Sequence, residues 1–195
     1  MSTVDVRSAD PDFVSQSVFR ATMDALAQPG TRWPLVVDDV PPPMTAELAA
    51  LALMLCDHDA PVWLDGALSS SQAVRDWLAF HTGAPIVAEP QLASFALATN
   101  VEALPSFDRF NQGTDEYPDR STTIILAVPS FEGGTAMTLR GPGIESETVI
   151  APSGLPADFI AQRARNRERF PCGVDLLLVA PGEVLGLPRT TRIGS

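Results

Sequence analysis

The motif PRTTR, residues 188–192, is the stretch whose residue types most directly suggest chemistry. Arg189 offers a planar fork of N–H donors, and Thr190 and Thr191 each offer a hydroxyl donor. Such a set can bind either an oxyanion or a carboxylate. Because no glycine-rich nest or helix N-terminus accompanies it, we expect a carboxylate, from a partner or from the chain itself, in preference to a phosphate. Pro188 cannot donate to a sheet ladder, so strand pairing should weaken there and leave the next residues pointing outward.

His81 and Thr82, in the segment FHTGAP, form a second candidate contact for an anion or a partner. A predicted helix ends here, and the helix dipole favours a protonated imidazole at its C-terminus. The ring could also act as a general base. Because the sequence offers no legible partner for such a reaction, capping or core hydrogen bonding is the favoured interpretation.

The segment CDHDAP, residues 56–61, places several possible metal ligands side by side. Adjacent side chains point apart and rarely converge on one ion, since metal sites draw their ligands from spaced positions. We therefore interpret the segment as a helix end, in which Asp57 and Asp59 form turn and cap hydrogen bonds.

The segment RARNRERF, residues 163–170, is rich in arginine. On a helix, Arg163 and Arg167 share one face, whereas Arg165 and Arg169 lie on the other. This arrangement favours a solvated last turn that complements the helix dipole. The alternative is a docking site for an acidic partner.

Some chemistry is excluded by residues that the sequence lacks. None of its 13 basic residues is a lysine, so no side chain can form a Schiff base and no P-loop lysine exists. Cys56 and Cys172 have no metal-ligand spacing, and the chain has no G-x-S-x-G, H-E-x-x-H or C-x-x-C motif. The sequence therefore predicts no catalytic residue, no metal and no cofactor.

Composition narrows the class of protein further. A net charge of -11 and a pI near 4.4 argue against nucleic-acid binding, because backbone phosphates would be repelled. No apolar run approaches the ~20 residues that span a bilayer, and the first residues lack the apolar segment of a signal peptide. We expect a cytoplasmic protein with reduced thiols. The length of 195 residues fits one domain, 1–195, with residues 1–9 as a flexible tail.

Periodicity and capping signals predict four helices. They cover residues 11–28, 45–56 after a cap at Thr45, 69–83 after a cap at Ser69 or Ser70, and 156–170. The first helix should have Asp10 as its N-cap and end at Pro29–Gly30. Its predicted buried face consists of Phe19, Met23, Leu26 and Ala27. The second helix is apolar nearly all round, which is typical of a fully buried helix.

Short apolar runs alternate with these helices and read as strands. They lie at 31–37, 61–64, 84–88, 94–98, 121–128, 135–141, 147–152, 174–180 and 183–188. Interleaved helices and strands predict an α/β domain of three layers. The last two runs flank a short PGE turn and predict an antiparallel hairpin, so the sheet should be mixed. Residues 100–119 give no clear pattern.

Seven motifs then occur in order along the chain. They are FRATMDALAQPG, DHDAPVWL, FHTGAP, GTDEYPDRSTTIIL, LRGPGI, FPCGVDLLLV and PRTT. Together they resemble the PhnH family, a subunit of the bacterial carbon–phosphorus lyase system, over nearly the whole chain. Two cysteines are too few to hold the iron–sulfur cluster of the subunit that breaks the carbon–phosphorus bond.

The resemblance implies a fold like the large domain of pyridoxal-phosphate-dependent transferases, without the cofactor site. It implies an accessory role in phosphonate breakdown, beside PhnG, PhnI and PhnJ subunits, in a system that transfers the ribose triphosphate of ATP to a phosphonate and displaces adenine. It also implies a homodimer when the chain is alone. The rival hypothesis is a small-molecule binder or enzyme that uses an arginine-lined pocket for phosphonate or nucleotide oxygens.

Overall fold

The computed structural model describes residues 11–35 and 40–194, without the side chains of residues 11–14. The predicted tail at 1–9 and the Asp10 cap lie outside these residues. The helices are α1 (Pro11–Ala27), α2 (Ala46–Leu55), α3 (Gly66–Ser70), α4 (Gln72–Thr82) and α5 (Phe159–Glu168). A short 3-10 turn lies at Pro90–Leu92, and three others, Val101–Ala103, Phe107–Arg109 and Pro118–Arg120, interrupt the stretch that gave no pattern.

The strands form a larger and a smaller sheet in the described part of the chain. They are β1 (Arg32–Pro34), β2 (Val62–Leu64), β3 (Ile86–Val87), β4 (Phe95–Ala98), β5 (Thr123–Ala127), β6 (Met137–Arg140), β7 (Thr148–Ile150), β8 (Asp175–Ala180), β9 (Glu183–Leu187) and β10 (Arg192–Gly194). The larger sheet has the order β1-β9-β8-β5-β4-β2-β3, and the smaller has the order β10-β6-β7.

The larger sheet is mixed, as the sequence predicts. Strands β3, β2, β4, β5 and β8 pair in parallel. The predicted hairpin of β8 and β9 is antiparallel, with Leu176 opposite Leu187 and Ala180 opposite Glu183. The sequence did not predict a separate antiparallel sheet, because β10 at the end of the chain is short and pairs with β6 more than fifty residues away.

Alternate residues of the central strands enter two different cores. In β5, Ile125 packs on one face with residues of α1, α2 and α4, whereas Ile124 and Leu126 pack on the other face. That second face is covered by α5 and the smaller sheet. The larger sheet is therefore the middle of three layers, which agrees with its nearly continuous apolar strands.

The predicted buried face of α1 is wrong. Phe19 and Met23 are exposed by 57% and 49%, and the helix instead buries Val18, Ala21, Thr22 and Ala25. The reason is the close approach of α1 to β9: a Cβ at Gly186 would lie 2.3 Å from the carbonyl oxygen of Ala25. Only small side chains fit on the helix face that touches the sheet at such a separation.

Capping agrees with the sequence at some helix ends and not at others. The Thr45 hydroxyl accepts a hydrogen bond from the Leu48 N–H, as predicted. The predicted helix at 69–83 is instead two helices, because Ser71 caps α4. Gly83 ends α4 in the left-handed conformation, with φ of 68°. The second helix is not buried all round, since Leu53 is 49% exposed.

Asp65 joins the ends of β2 and β4. Its fully buried carboxylate accepts the Leu68 N–H at 2.9 Å, which caps α3. The Thr99 N–H, the Thr99 hydroxyl and the Asn100 N–H donate to its other oxygen at 2.7 to 3.0 Å. Four donors compensate for the burial of this charge, so we assign Asp65 to structure.

Candidate functional site

The PRTTR motif turns inward directly after β9. The last paired residue of β9 is Leu187, and pairing stops at Pro188, as its missing N–H predicts. The expectation that the following side chains point outward is wrong. The Arg189 side chain is only 13% exposed, and Thr191 is 1% exposed.

Asp175, the first residue of β8, binds Arg189. The Arg189 backbone N–H donates to Oδ1 of Asp175 at 2.6 Å, and Nη2 donates to Oδ2 at 2.5 Å. Nε lies 3.2 Å from both carboxylate oxygens. The Nε and Nη2 groups of the guanidinium therefore both contact the carboxylate, and an arginine–carboxylate pair is strongest in this bidentate geometry.

The other guanidinium donors of Arg189 bind three neighbouring groups. Nη1 donates to the carbonyl oxygens of Pro118 and Pro171 at 2.6 and 3.3 Å. Nη2 also donates to the Ser121 hydroxyl at 2.7 Å. All five N–H bonds of the guanidinium thus have acceptors within the chain. An external oxyanion or carboxylate could bind Arg189 only by displacing one of these acceptors.

Arg163 lies beneath the loop of the PRTTR motif, and its position differs most from the one that the sequence predicts. Its predicted place in a solvated turn is wrong, because it is only 2% exposed. Nη2 donates to the carbonyl oxygen of Pro188 at 2.6 Å, whereas Nε and Nη1 are buried without a hydrogen-bond partner among the described residues. Burial lowers the pKa of Arg163 to about 10, and the charge of Asp175 opposes this shift.

The two threonines of the motif differ in their surroundings. Thr190 is partly exposed. The Thr191 N–H donates to the carbonyl oxygen of Pro188 at 2.9 Å, which forms a tight turn. The Thr191 hydroxyl is buried without a hydrogen-bond partner in the described part of the structure. Arg192 is exposed and lies opposite Arg140 in the smaller sheet.

The structure does not bring His81 and Thr82 to this motif. They end α4, which leads to β3 at one edge of the larger sheet, and four strand spacings of about 4.8 Å separate β3 from β8. The Thr82 hydroxyl donates to the Leu78 carbonyl oxygen and accepts the Ala84 N–H, so it caps the helix end. The His81 ring is exposed and lies 4.5 Å from the Trp77 ring, measured between centroids.

The CDHDAP segment is the predicted helix end. Cys56 follows the last residue of α2, and the Asp59 N–H donates to Oδ1 of Asp57 at 2.9 Å, which closes a turn. Burial, with a smaller contribution from Asp57, raises the pKa of the Cys56 thiol to about 12. Within residues 11–35 and 40–194, no three His, Cys, Asp or Glu side chains are close enough together to hold a metal ion.

Two of the concave sites in the described structure bear on the motifs. One, of about 30 Å³, is lined in part by Asp108, Arg165 and Arg169. A hydrogen bond from Ser106, with a smaller contribution from Arg169, lowers the pKa of Asp108. The other, of about 290 Å³, lies beside the start of α5 and has no charged lining residue. Arg189 lines neither of them.

Sequence reasoning missed the acceptor on which the motif depends. Asp175 is the one polar residue of the run VDLLLVA, and a carboxylate at the start of a central strand needs a partner when it is buried. That signal was available in the sequence. The identity of the partner was not, because Arg189 and Asp175 meet only through the β8–β9 hairpin.

Comparisons with known proteins agree over nearly the whole chain. The family model named PhnH, described as a bacterial phosphonate metabolism protein, matches residues 7–194. The chain is 50% identical over 186 residues to the "Alpha-D-ribose 1-methylphosphonate 5-triphosphate synthase subunit PhnH" of Rhizobium meliloti, covering 95% of this chain and 92% of the relative. It is 34% identical over 178 residues, 91% of this chain and 85% of the relative, to HtxG of Stutzerimonas stutzeri, which is provisionally named as a C-P lyase subunit protein.

Proposed function

The chain belongs to the PhnH family of bacterial phosphonate metabolism proteins, and from this premise we propose that it is an accessory, non-catalytic subunit of a carbon–phosphorus lyase system. In this role it supports the transfer of the ribose triphosphate of ATP to a phosphonate. The observation that carries the proposal is the 50% identity, over 95% of the chain, to a subunit named for that synthase.

The chemistry of the described residues supports a non-catalytic role. The guanidinium of Arg189 is fully engaged within the chain. The raised pKa of Cys56 keeps this thiol protonated near neutral pH, so it is a poor nucleophile. The His81 ring contacts the rings of Trp77 and Phe80 at an exposed helix end, and neither neighbour offers a hydroxyl or thiol to activate. These features favour a chain that acts through its partners.

We propose PhnG, PhnI and PhnJ subunits as the partners, and a homodimer as the form of the chain alone. Co-expression of a tagged chain with these three subunits tests the first part, and light scattering at micromolar concentration tests the second. We expect one co-eluting complex that contains all the subunits, and a mass of two chains for the isolated protein. Separate elution of the chain in the presence of all three subunits would contradict the proposal.

We further propose that the domain corresponds to the large domain of pyridoxal-phosphate-dependent transferases. The support is the α/β architecture, in which five strands pair in parallel and β9 and β1 add antiparallel pairs at one end of the sheet. The residues do not fit the cofactor itself, because the chain has no lysine to hold it as a Schiff base. No step of the proposed function therefore uses pyridoxal phosphate.

We place the protein in the cytoplasm. Cys56 and Cys172 are both free thiols, which suits a reducing compartment. In the described part of the chain, no helix has the length and apolar character needed to cross a membrane.

The rival function, an arginine-lined pocket for phosphonate or nucleotide, has less support. Arg165 and Arg169 do line a cleft, but its volume of about 30 Å³ has room for only a few water molecules. The cavity of about 290 Å³ has no arginine or other charged residue in its walls. Neither site combines the size and the cations that a phosphorylated ligand needs.

A further inference from the structure

One edge of the larger sheet exposes apolar side chains where the chain would be expected to shield them. The edge strand is β3, and Phe80 at the end of α4 is 85% exposed, the highest value among the large hydrophobic residues described. Ile86 in β3 and Leu92 after it are exposed by 37% and 58%. Edge strands are normally protected by charge, by proline or by a covering element, so exposed apolar residues there indicate an interaction site.

Three separate segments build this surface. The Val62 N–H donates to the Pro85 carbonyl oxygen at 2.8 Å, which brings the FHTGAP segment against the segment before β2. A Cβ at Gly83 would lie 3.8 Å from the Cβ of His58, so the CDHDAP and FHTGAP motifs are in contact. The Ser94 N–H donates to the Pro61 carbonyl oxygen, which brings the segment after β3 against the same residues.

The charge of this surface has one sign. Residues 57–59 and 76–92 contain four carboxylates and no arginine. The adjacent Arg75 donates to the Ser69 carbonyl oxygen and to the Gln72 side-chain oxygen. All four carboxylate residues are exposed. We name this the β3-edge surface and define it by Asp57, Asp59, Phe80, Ile86, Glu89 and Leu92.

We propose that the β3-edge surface docks a segment of another subunit that carries arginine or lysine beside an apolar side chain. Charge complementarity selects this occupant, because opposite potentials attract partners and like charges reject them. A second copy bound through the same surface would bring its Asp57, Asp59 and Glu89 against the same three carboxylates. The inference deepens the proposed function and rests on it, since it assumes that the chain is a subunit of a larger assembly.

The test measures the affinity of the full-length chain for the purified PhnG, PhnI and PhnJ subunits, singly and together, at 50 and 500 mM NaCl. Phe80→Glu should weaken binding by about tenfold or more, as expected when an exposed aromatic anchor is replaced by a charge. Glu89→Arg should weaken it about fivefold at low salt and less at high salt, because salt screens exposed charges. Matched controls are Val149→Glu and Glu145→Arg, exposed positions away from this edge, which should bind as the wild type does.

The outcomes separate this inference from the proposed function. If the wild type binds and both variants bind equally well, the β3-edge surface is not the docking site, and the proposed function stands. If the wild type binds none of the subunits, the proposed function fails and this inference with it. If Phe80→Glu changes the mass of the isolated chain but not its affinity for the subunits, the occupant is a second copy and the inference is overturned. Circular dichroism of each variant checks that it is folded.

Discussion

Replacing Arg189 with methionine should destabilise the fold, whereas the same replacement of Arg163 should not. The reason is that every N–H of the Arg189 guanidinium has an acceptor, whereas two nitrogen atoms of Arg163 have none among the described residues. Arg189→Met removes the partner of Asp175 and leaves the oxygens of Pro118, Pro171 and Ser121 without this donor. Breaking a buried ion pair from one side costs about 3–5 kcal/mol. The two side chains are 13% and 21% exposed, which favours the lower end, about 3 kcal/mol.

Arg163→Met should change stability by less than about 1 kcal/mol, or should raise it. Arg163 makes one hydrogen bond, to the Pro188 carbonyl oxygen, while two of its nitrogen atoms are buried without a partner. An apolar side chain of similar volume removes this desolvated charge, and such replacements are often neutral or stabilising. Asp175 keeps its pair with Arg189 in this variant.

Urea unfolding followed by circular dichroism measures the change in the free energy of unfolding for both variants, and thermal unfolding measures the shift in Tm. At about 2–4 °C per kcal/mol for a chain of this size, Arg189→Met should lower Tm by roughly 6–12 °C. Arg189→Lys should recover only part of this loss, because a point charge cannot replace the planar fork. A loss of stability below about 1 kcal/mol for Arg189→Met, or a greater loss for Arg163→Met than for Arg189→Met, would refute these roles of the two arginines.

Three further predictions follow from the burial of Cys56, the backbone geometry at Gly186 and the lack of lysine. An aromatic disulfide reagent should label Cys172 in the native protein and Cys56 only after unfolding. Between about pH 9 and 12 the stability of the fold should decrease as pH rises, because the Cys56 thiol ionises at lower pH in the unfolded chain than in the folded one, and Cys56→Ala should remove that part of the pH dependence. Gly186→Ala should cost about 1–3 kcal/mol, because the new methyl group would lie 2.3 Å from a backbone oxygen, whereas Gly66→Ala, with open space around it, should cost far less. Pyridoxal phosphate should leave no absorption band after dialysis, and a retained aldimine band would disprove this.

Local signals in the sequence were enough to predict most elements of the fold. The Thr45 cap, the Gly83 helix end and the PGE hairpin each depend on neighbouring residues, and the structure confirms all three. The face of α1 was predicted wrongly because hydrophobicity alone favours Phe19 and Met23. The close approach of Gly186 to that helix determines which face is buried, and this contact depends on the tertiary fold.

The candidate site shows the same division between local and distant information. The end of pairing at Pro188 follows from its missing N–H. The inward turn of Arg189 depends on Asp175, Ser121 and Pro118, which lie 14 to 71 residues away in sequence. The burial of Arg163 likewise depends on the loop that covers α5, a contact no helical periodicity contains.

The proposed role of the chain is that of an accessory, non-catalytic member of the assembly. The most direct measurement is the release of adenine from ATP in the presence of a phosphonate, with PhnG, PhnI and PhnJ subunits combined with and without the purified chain, and with the chain alone. We expect no adenine release by the chain alone and an active, stable assembly when the chain is included, with reduced assembly or rate when it is omitted. Adenine release by the isolated chain, or full assembly and rate without it, would contradict the claim.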